Sequence, residues 1–150
     1  MRDDKITLSP LIPERRFASP TLVHAEANGR IEPSERLTME IGQTLRVTTR
    51  QEFRSWLRKN HATKKEIWLI QYKKGTGKPT LNYVEAVEEA ICFGWIDGFE
   101  RSMDSERYAT RFTPRRAKSN WTETNKERAR KMIAARRMTA AGRKTLPEDV

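Results

Sequence analysis

From Leu45 onward, apolar residues fall into short periodic runs, each bounded by a capping or turn residue. Phe53, Trp56 and Leu57 stand at i, i+3 and i+4 and predict one face of a helix. Thr48 or Thr49 can cap it, with Glu52 in the first turn, and it should end near Asn60 and His61. The run EIWLIQYKK, residues 66–74, is dense in β-branched and aromatic residues and predicts a strand buried at its centre. GTGKP, residues 75–79, reads as a turn. Asn82 can cap a second helix, with Glu85 reaching back to it. Val84, Val87 and Ile91 would line its apolar face beside Tyr83, Ala86 and Ala90, leaving Glu85, Glu88 and Glu89 to water. Gly94 can end this helix in a left-handed conformation. Residues 95–103 then predict a strand that bends at Asp97-Gly98. MDSE makes a turn, residues 107–113 return as the second arm of a hairpin, and Pro114 ends it. Ser119 or Thr122 caps a helix to about Arg136, and Thr139 caps a last short one.

The order α-β-α-β-β-α(-α) implies an α+β class, with a small, mainly antiparallel β-sheet packed against helices. Residues 1–38 read differently. They contain four of the seven prolines and one aromatic residue, Phe17, and no period runs through them. They are expected to be a disordered tail ahead of one domain over 39–150. Met39 begins the regular region, so translation starting there is a further expectation.

Charge sharpens the picture. Residues 1–38 balance six cations against six acids, whereas residues 111–144 carry twelve Lys and Arg against Glu123 and Glu127. That one stretch therefore accounts for the whole net charge of +10. Such a stripe attracts anions, whether nucleic acid, lipid head groups, acidic polysaccharide or an acidic protein. No apolar run approaches the ~20 residues of a membrane span, and the acidic, proline-containing start is not a secretory signal. The expected location is cytoplasmic. One cysteine, Cys92, and two distant histidines, His24 and His61, do not make a disulfide or a metal site. No cofactor is expected. No nucleophile elbow or paired-carboxylate signature appears, so the sequence offers no positive case for catalysis.

The string FRSWLRKNHATKKEIWLIQYKKGTGKPTLNYVEAVEEAICFGWIDG, continued by DSERYATRFTPRRAKSNWTETNKERARKMIAARRMTAAG, resembles the YdeI/OmpD-associated family, also known as bacteriocin-protection proteins. The likeness covers roughly residues 47–142, and GWIDG, RFTPRR and SNW carry it in that order. It implies a role in tolerance of bacteriocins or antimicrobial peptides. It brings no catalytic residue, substrate or cofactor with it.

Two constellations are candidates for binding. In GWIDG, Trp95 could offer a stacking face and Asp97 an acceptor; alternatively Gly94 ends a helix, Asp97-Gly98 is a bulge and Trp95 is core. In RFTPRRAKSNW, Arg111, Arg115 and Arg116 can hold carboxylate or phosphate oxygens. Pro114 stiffens the turn, Asn120 adds donors, and Trp121 an aromatic wall. Those arginines could equally pair internally with Asp97 or Asp104. The seven predicted ligand-binding residues are thus Trp95, Asp97, Arg111, Arg115, Arg116, Asn120 and Trp121. The first reading is a non-enzymatic binding protein for an anionic ligand or acidic protein partner. A second is a nucleic-acid module, with Phe112 and Trp121 stacking on bases. A third is an enzyme with Asp97 as acid or base.

Overall fold

The computed structural model describes residues 7–9 and 39–150. Thr49 opens the first described helix, α1 (Arg50–Asn60), with a reciprocal cap. Its hydroxyl accepts from the Glu52 backbone N–H, and the Glu52 carboxylate accepts from the Thr49 N–H, both at 3.2 Å. Phe53, Trp56 and Leu57 are its buried face, as their spacing requires. Strand β3 (Ile67–Tyr72) follows. Helix α2 (Tyr83–Cys92) is capped by Asn82, whose side chain accepts from the N–H groups of Val84 and Glu85. Gly94 ends it at φ 79°, where an added Cβ would lie 3.1 Å from both the Ala141 carbonyl oxygen and Thr145 Cγ2.

Strands β4 (Trp95–Ser102) and β5 (Arg107–Pro114) form the antiparallel hairpin, with a register shift between Asp97 and Glu100. Asp104 fixes its turn by accepting from the N–H groups of Glu106 and Arg107. Helix α3 (Glu123–Ala134) is capped by Thr122, and α4 (Ala140–Arg143) by Thr139. The class is α+β, as the element order implies.

Two strands go beyond the expected set. β2 (Thr44–Arg46) runs parallel to β3, and β1 (Thr7–Ser9) pairs antiparallel with β2. The sheet therefore has five strands in the order β1-β2-β3-β5-β4 and remains mainly antiparallel. Three-residue strands are too short to show a period, which is why they escape pattern reading. Thr7–Ser9, within the expected tail, form β1. The rest of that expectation, and the start at Met39, fall on residues outside those described.

The larger apolar cluster joins α1, α2 and α3 to one face of the sheet through Phe53, Trp56, Ile67, Leu69, Ile91 and Phe112. The other face carries a smaller cluster of Met39, Trp68 and Ala109, with Phe99 edge-on to Trp68 at 5.7 Å. Cys92 is buried, and its thiol is pushed up to about 11, chiefly by burial.

One expectation fails clearly. Glu88 and Glu89 do not face water; they are 2% and 0% exposed. Glu89 accepts from Arg54 Nη1 at 2.9 Å, Arg50 Nε at 2.7 Å and Arg137 Nη2 at 2.9 Å. Glu88 accepts from Arg50 Nη2 and Lys131 Nζ, both at 2.9 Å. Val84 and Tyr83, expected near the apolar face, are instead the exposed large hydrophobic residues. Helix α2 is rotated relative to its apolar reading because cations on α1, α3 and the α3–α4 link make burial of two carboxylates feasible.

Candidate functional site

The proline-bounded turn after β5 meets the start of β4 at one corner. Arg115 donates its backbone N–H to the Gly94 carbonyl at 2.8 Å. The chain then turns through Lys118, at φ 62°, with the Ser119 N–H returned to the Arg116 carbonyl at 3.2 Å. This turn folds the Arg115 side chain onto the ring of Trp121, with Cζ 3.7 Å from the ring centre. Arg115 Nη1 donates to Ser119 Oγ at 2.8 Å and to the Asn120 carbonyl at 3.1 Å. Nε is sealed from water without an acceptor, whereas Nη2 is neither sealed nor bonded among the described residues. Burial pushes the guanidinium down to about 10, and the nearby negative charge of Asp97 opposes that fall. At neutral pH Arg115 stays charged.

Asp97 is partly buried and accepts a 2.7 Å hydrogen bond from the Tyr83 hydroxyl. Burial and that bond push the Tyr83 phenol up to about 12, which fixes it as a donor. Arg128 on α3 lies 5.9 Å from the Tyr83 ring centre, and its Nη1 donates to Asn125 Oδ1 at 2.9 Å. Among the described residues, neither Arg115 nor Arg128 forms a salt bridge with a carboxylate. Arg116 and Asn120 are exposed on the rim.

The seven sequence-predicted residues therefore divide. Asp97, Arg115 and Trp121 come together, with Arg116 and Asn120 beside them in the turn. Trp95 lies in the core at 1% exposure, edge-on to Trp56 at 5.8 Å, and donates its indole N–H to the His61 carbonyl. Arg111 lies on the other face of the sheet, where its Nε donates to Glu66 at 2.7 Å. Strand alternation requires this: Phe112 is in the helix-side core, so Arg111 must point away from it. The additional members of the corner are Tyr83 and Arg128. The cap at Asn82 put Tyr83 at the first helical position, a signal for its exposure; nothing in the local sequence singles out Arg128.

The model of a domain of unknown function, DUF8412, matches residues 45–145. The chain belongs to this family. No curated protein matches it, and no solved structure does. The DUF8412 span runs from within β2 to just beyond α4 and contains every residue of the corner.

Among the described residues of this DUF8412 protein, no group of three or more His, Cys, Asp or Glu side chains could hold a metal ion. No described helix is long and apolar enough to cross a membrane. What the corner offers chemically is two guanidinium groups with only neutral hydrogen-bond acceptors, a carboxylate held by a phenol, and an aromatic wall. That set suits the recognition of an anion.

Proposed function

We propose that this protein binds an anionic ligand or an acidic partner at the corner formed by Asp97, Arg115 and Trp121, with Tyr83 and Arg128 completing it. The observation that carries the reading is the pair of guanidinium groups, Arg115 and Arg128, neither of which is in a salt bridge among the described residues. Arg115 is already ordered by Trp121, Ser119 and Asn120, so binding would cost little further side-chain entropy. Asp97 limits the net charge and gives the ligand an acceptor as well as donors.

The resemblance to the YdeI/OmpD-associated family adds a cellular role in tolerance of bacteriocins or antimicrobial peptides. A net charge of +10 repels cationic peptides, so the role is indirect, through an anionic ligand or an acidic partner. The protein acts in the cytoplasm on this reading. A nucleobase-stacking site is less well supported. Phe112 is fully buried against Phe53, and Trp121 has Arg115 on its ring and its N–H on the Thr145 carbonyl.

The test is a titration of isotope-labelled protein with inorganic phosphate and with citrate, followed by the Trp121 indole and the amides of residues 94–97 and 115–121. Saturable movement there, lost in the Arg115→Ala/Arg116→Ala double variant, is the expected result. Movement that survives in the double variant, or none in the wild type, overturns the reading.

A further inference from the structure

A hollow lies at the other end of the β4–β5 hairpin. It is shallow and largely open to solvent, of about 470 Å³, and is lined by Tyr72, Lys73, Lys74, Glu100, Ser102 and Tyr108. Ser102 is five residues along β4 from Asp97, roughly 15 Å at the rise of a strand. Lys73, Ser102 and Tyr108 thus stand apart from Arg115 and Trp121, while Glu100 lies between them, near enough to Tyr83 to help raise its phenol; the inference does not depend on the Arg115 corner.

Its polar groups are unusually arranged. Lys73 Nζ is held by two neutral oxygens, Ser102 Oγ at 3.0 Å and the Asp104 carbonyl at 2.8 Å. The Asp104 carboxylate is committed elsewhere: one oxygen accepts from two backbone N–H groups and the other from Arg107 Nε at 2.9 Å. The Lys73 charge is therefore held in place with no carboxylate partner among the described residues, and the turn that holds it is itself tied down. Lys74 is exposed and has no carboxylate partner among the described residues, and Glu100 has no cationic one. The two tyrosines also differ. Tyr72 has Arg46 and Lys78 within 5.5 Å and 5.3 Å of its ring centre. Tyr108 is half-buried, and among the described residues its ring carries neither a cation nor an aromatic neighbour. Burial, with Glu100 nearby, pushes the Tyr108 phenol up, so it remains a neutral donor.

We propose that this hollow binds a hydroxylated anion: a sugar-like skeleton carrying one phosphate or carboxylate. The anionic group meets Lys73 and Lys74, the hydroxyls meet Glu100 and Ser102, and the C–H face of the ring lies against Tyr108. A lone inorganic anion would leave Glu100 opposed and Tyr108 uncovered. A neutral sugar would leave both ammonium groups without a counter-charge.

The test titrates the full labelled chain with glucose 6-phosphate, glucuronate, glucose and inorganic phosphate. Glucose 6-phosphate or glucuronate should move the Lys73, Ser102 and Tyr108 amides saturably at millimolar concentration, and the stronger of the two names the anionic group. Glucose and phosphate should each bind at least tenfold more weakly. Lys74→Ala should weaken the sugar anion about tenfold, as expected for one lost charge-assisted contact. Glu100→Gln should weaken the sugar anion while leaving the response to inorganic phosphate unchanged, a pattern that loss of folding would not give. The proposal is overturned by unaffected binding in both variants, by equal binding of phosphate alone, or by shifts confined to residues 94–97 and 115–121. Shifts of that last kind would instead support the Arg115 corner.

Discussion

Arg115 lies over the ring of Trp121, its guanidinium carbon 3.7 Å from the ring centre. A lysine could carry the charge to this position and donate from its ammonium, but it could not stack as a plane on the indole. Arg115→Lys is expected to destabilise the fold by about 1–2 kcal/mol, the range of a partly desolvated cation–π contact with its hydrogen bonds. Denaturant unfolding measures this. An unchanged midpoint would mean that the stack contributes nothing.

Glu89 is fully buried and neutralised by three guanidinium groups, from Arg50, Arg54 and Arg137. Glu89→Gln removes the charge but keeps the shape, and leaves cations in excess around it. The expected loss is about 3–5 kcal/mol, as for a buried ion pair deprived of one partner. Calorimetry or denaturant unfolding would detect it; a loss below about 1 kcal/mol would contradict the buried pairing.

Glu88 gives the pH dependence. Burial raises its carboxyl, but hydrogen bonds from Lys131 and Arg50 outweigh burial and hold it below its ordinary value of 4.5. A depressed folded value means that this contribution is complete above about pH 4.5 and is lost as pH falls through the folded value. Glu88→Gln should therefore lower stability at pH 7 and flatten its decline below pH 4.5. A variant with an acid limb as steep as the wild type's would refute this.

Tyr83 titrates late. Its phenol, pushed up to about 12 by burial and by Asp97, should be missing from the phenolate absorbance that develops near pH 10 in the native protein. Because the folded value is raised, the associated stability is complete below pH 10 and is lost between 10 and about 12. The difference titration between wild type and Tyr83→Phe isolates this group. A step near 10 in that difference would break the proposed Tyr83–Asp97 pairing.

Gly142 marks where α4 docks on the end of α2. The Thr139 N–H and hydroxyl both donate to the Cys92 carbonyl, and a Cβ on Gly142 would lie 2.3 Å from that same oxygen. Gly142→Ala should cost about 1–3 kcal/mol through overpacking against backbone. It should also speed amide exchange at residues 139–145 more than at β3. Uniform exchange would show that α4 is not separately anchored.

The parts legible in the sequence are those decided within one turn of chain. Thr49, Asn82, Thr122 and Thr139 cap their helices because capping joins a side chain to an N–H two or three residues away. The five buried residues that open β3 were visible from their composition. Glu88 and Glu89 were misread because their partners are 35 to 48 residues distant, and helical amphipathicity alone sends three glutamates to water. Arg111 was drawn into the wrong group by its nearness in sequence to Arg115, although the alternation around Phe112 already pointed it to the opposite face. Tyr83 reached Asp97 only through the packing of α2 on β4, which no local pattern encodes.

The buried carboxylates also bear on the order of events during synthesis. Lys131 emerges 43 residues after Glu88, and Arg137 emerges 48 after Glu89. At ordinary ribosomal speeds that is an interval of roughly 2–10 s. Throughout it, only the two arginines of α1 shield a pair of adjacent anions beside the growing apolar cluster. Helix α2 is therefore expected to close against its neighbours only when Lys131 and Arg137 arrive, so that part of the cationic stripe would complete the packing of the domain that carries it.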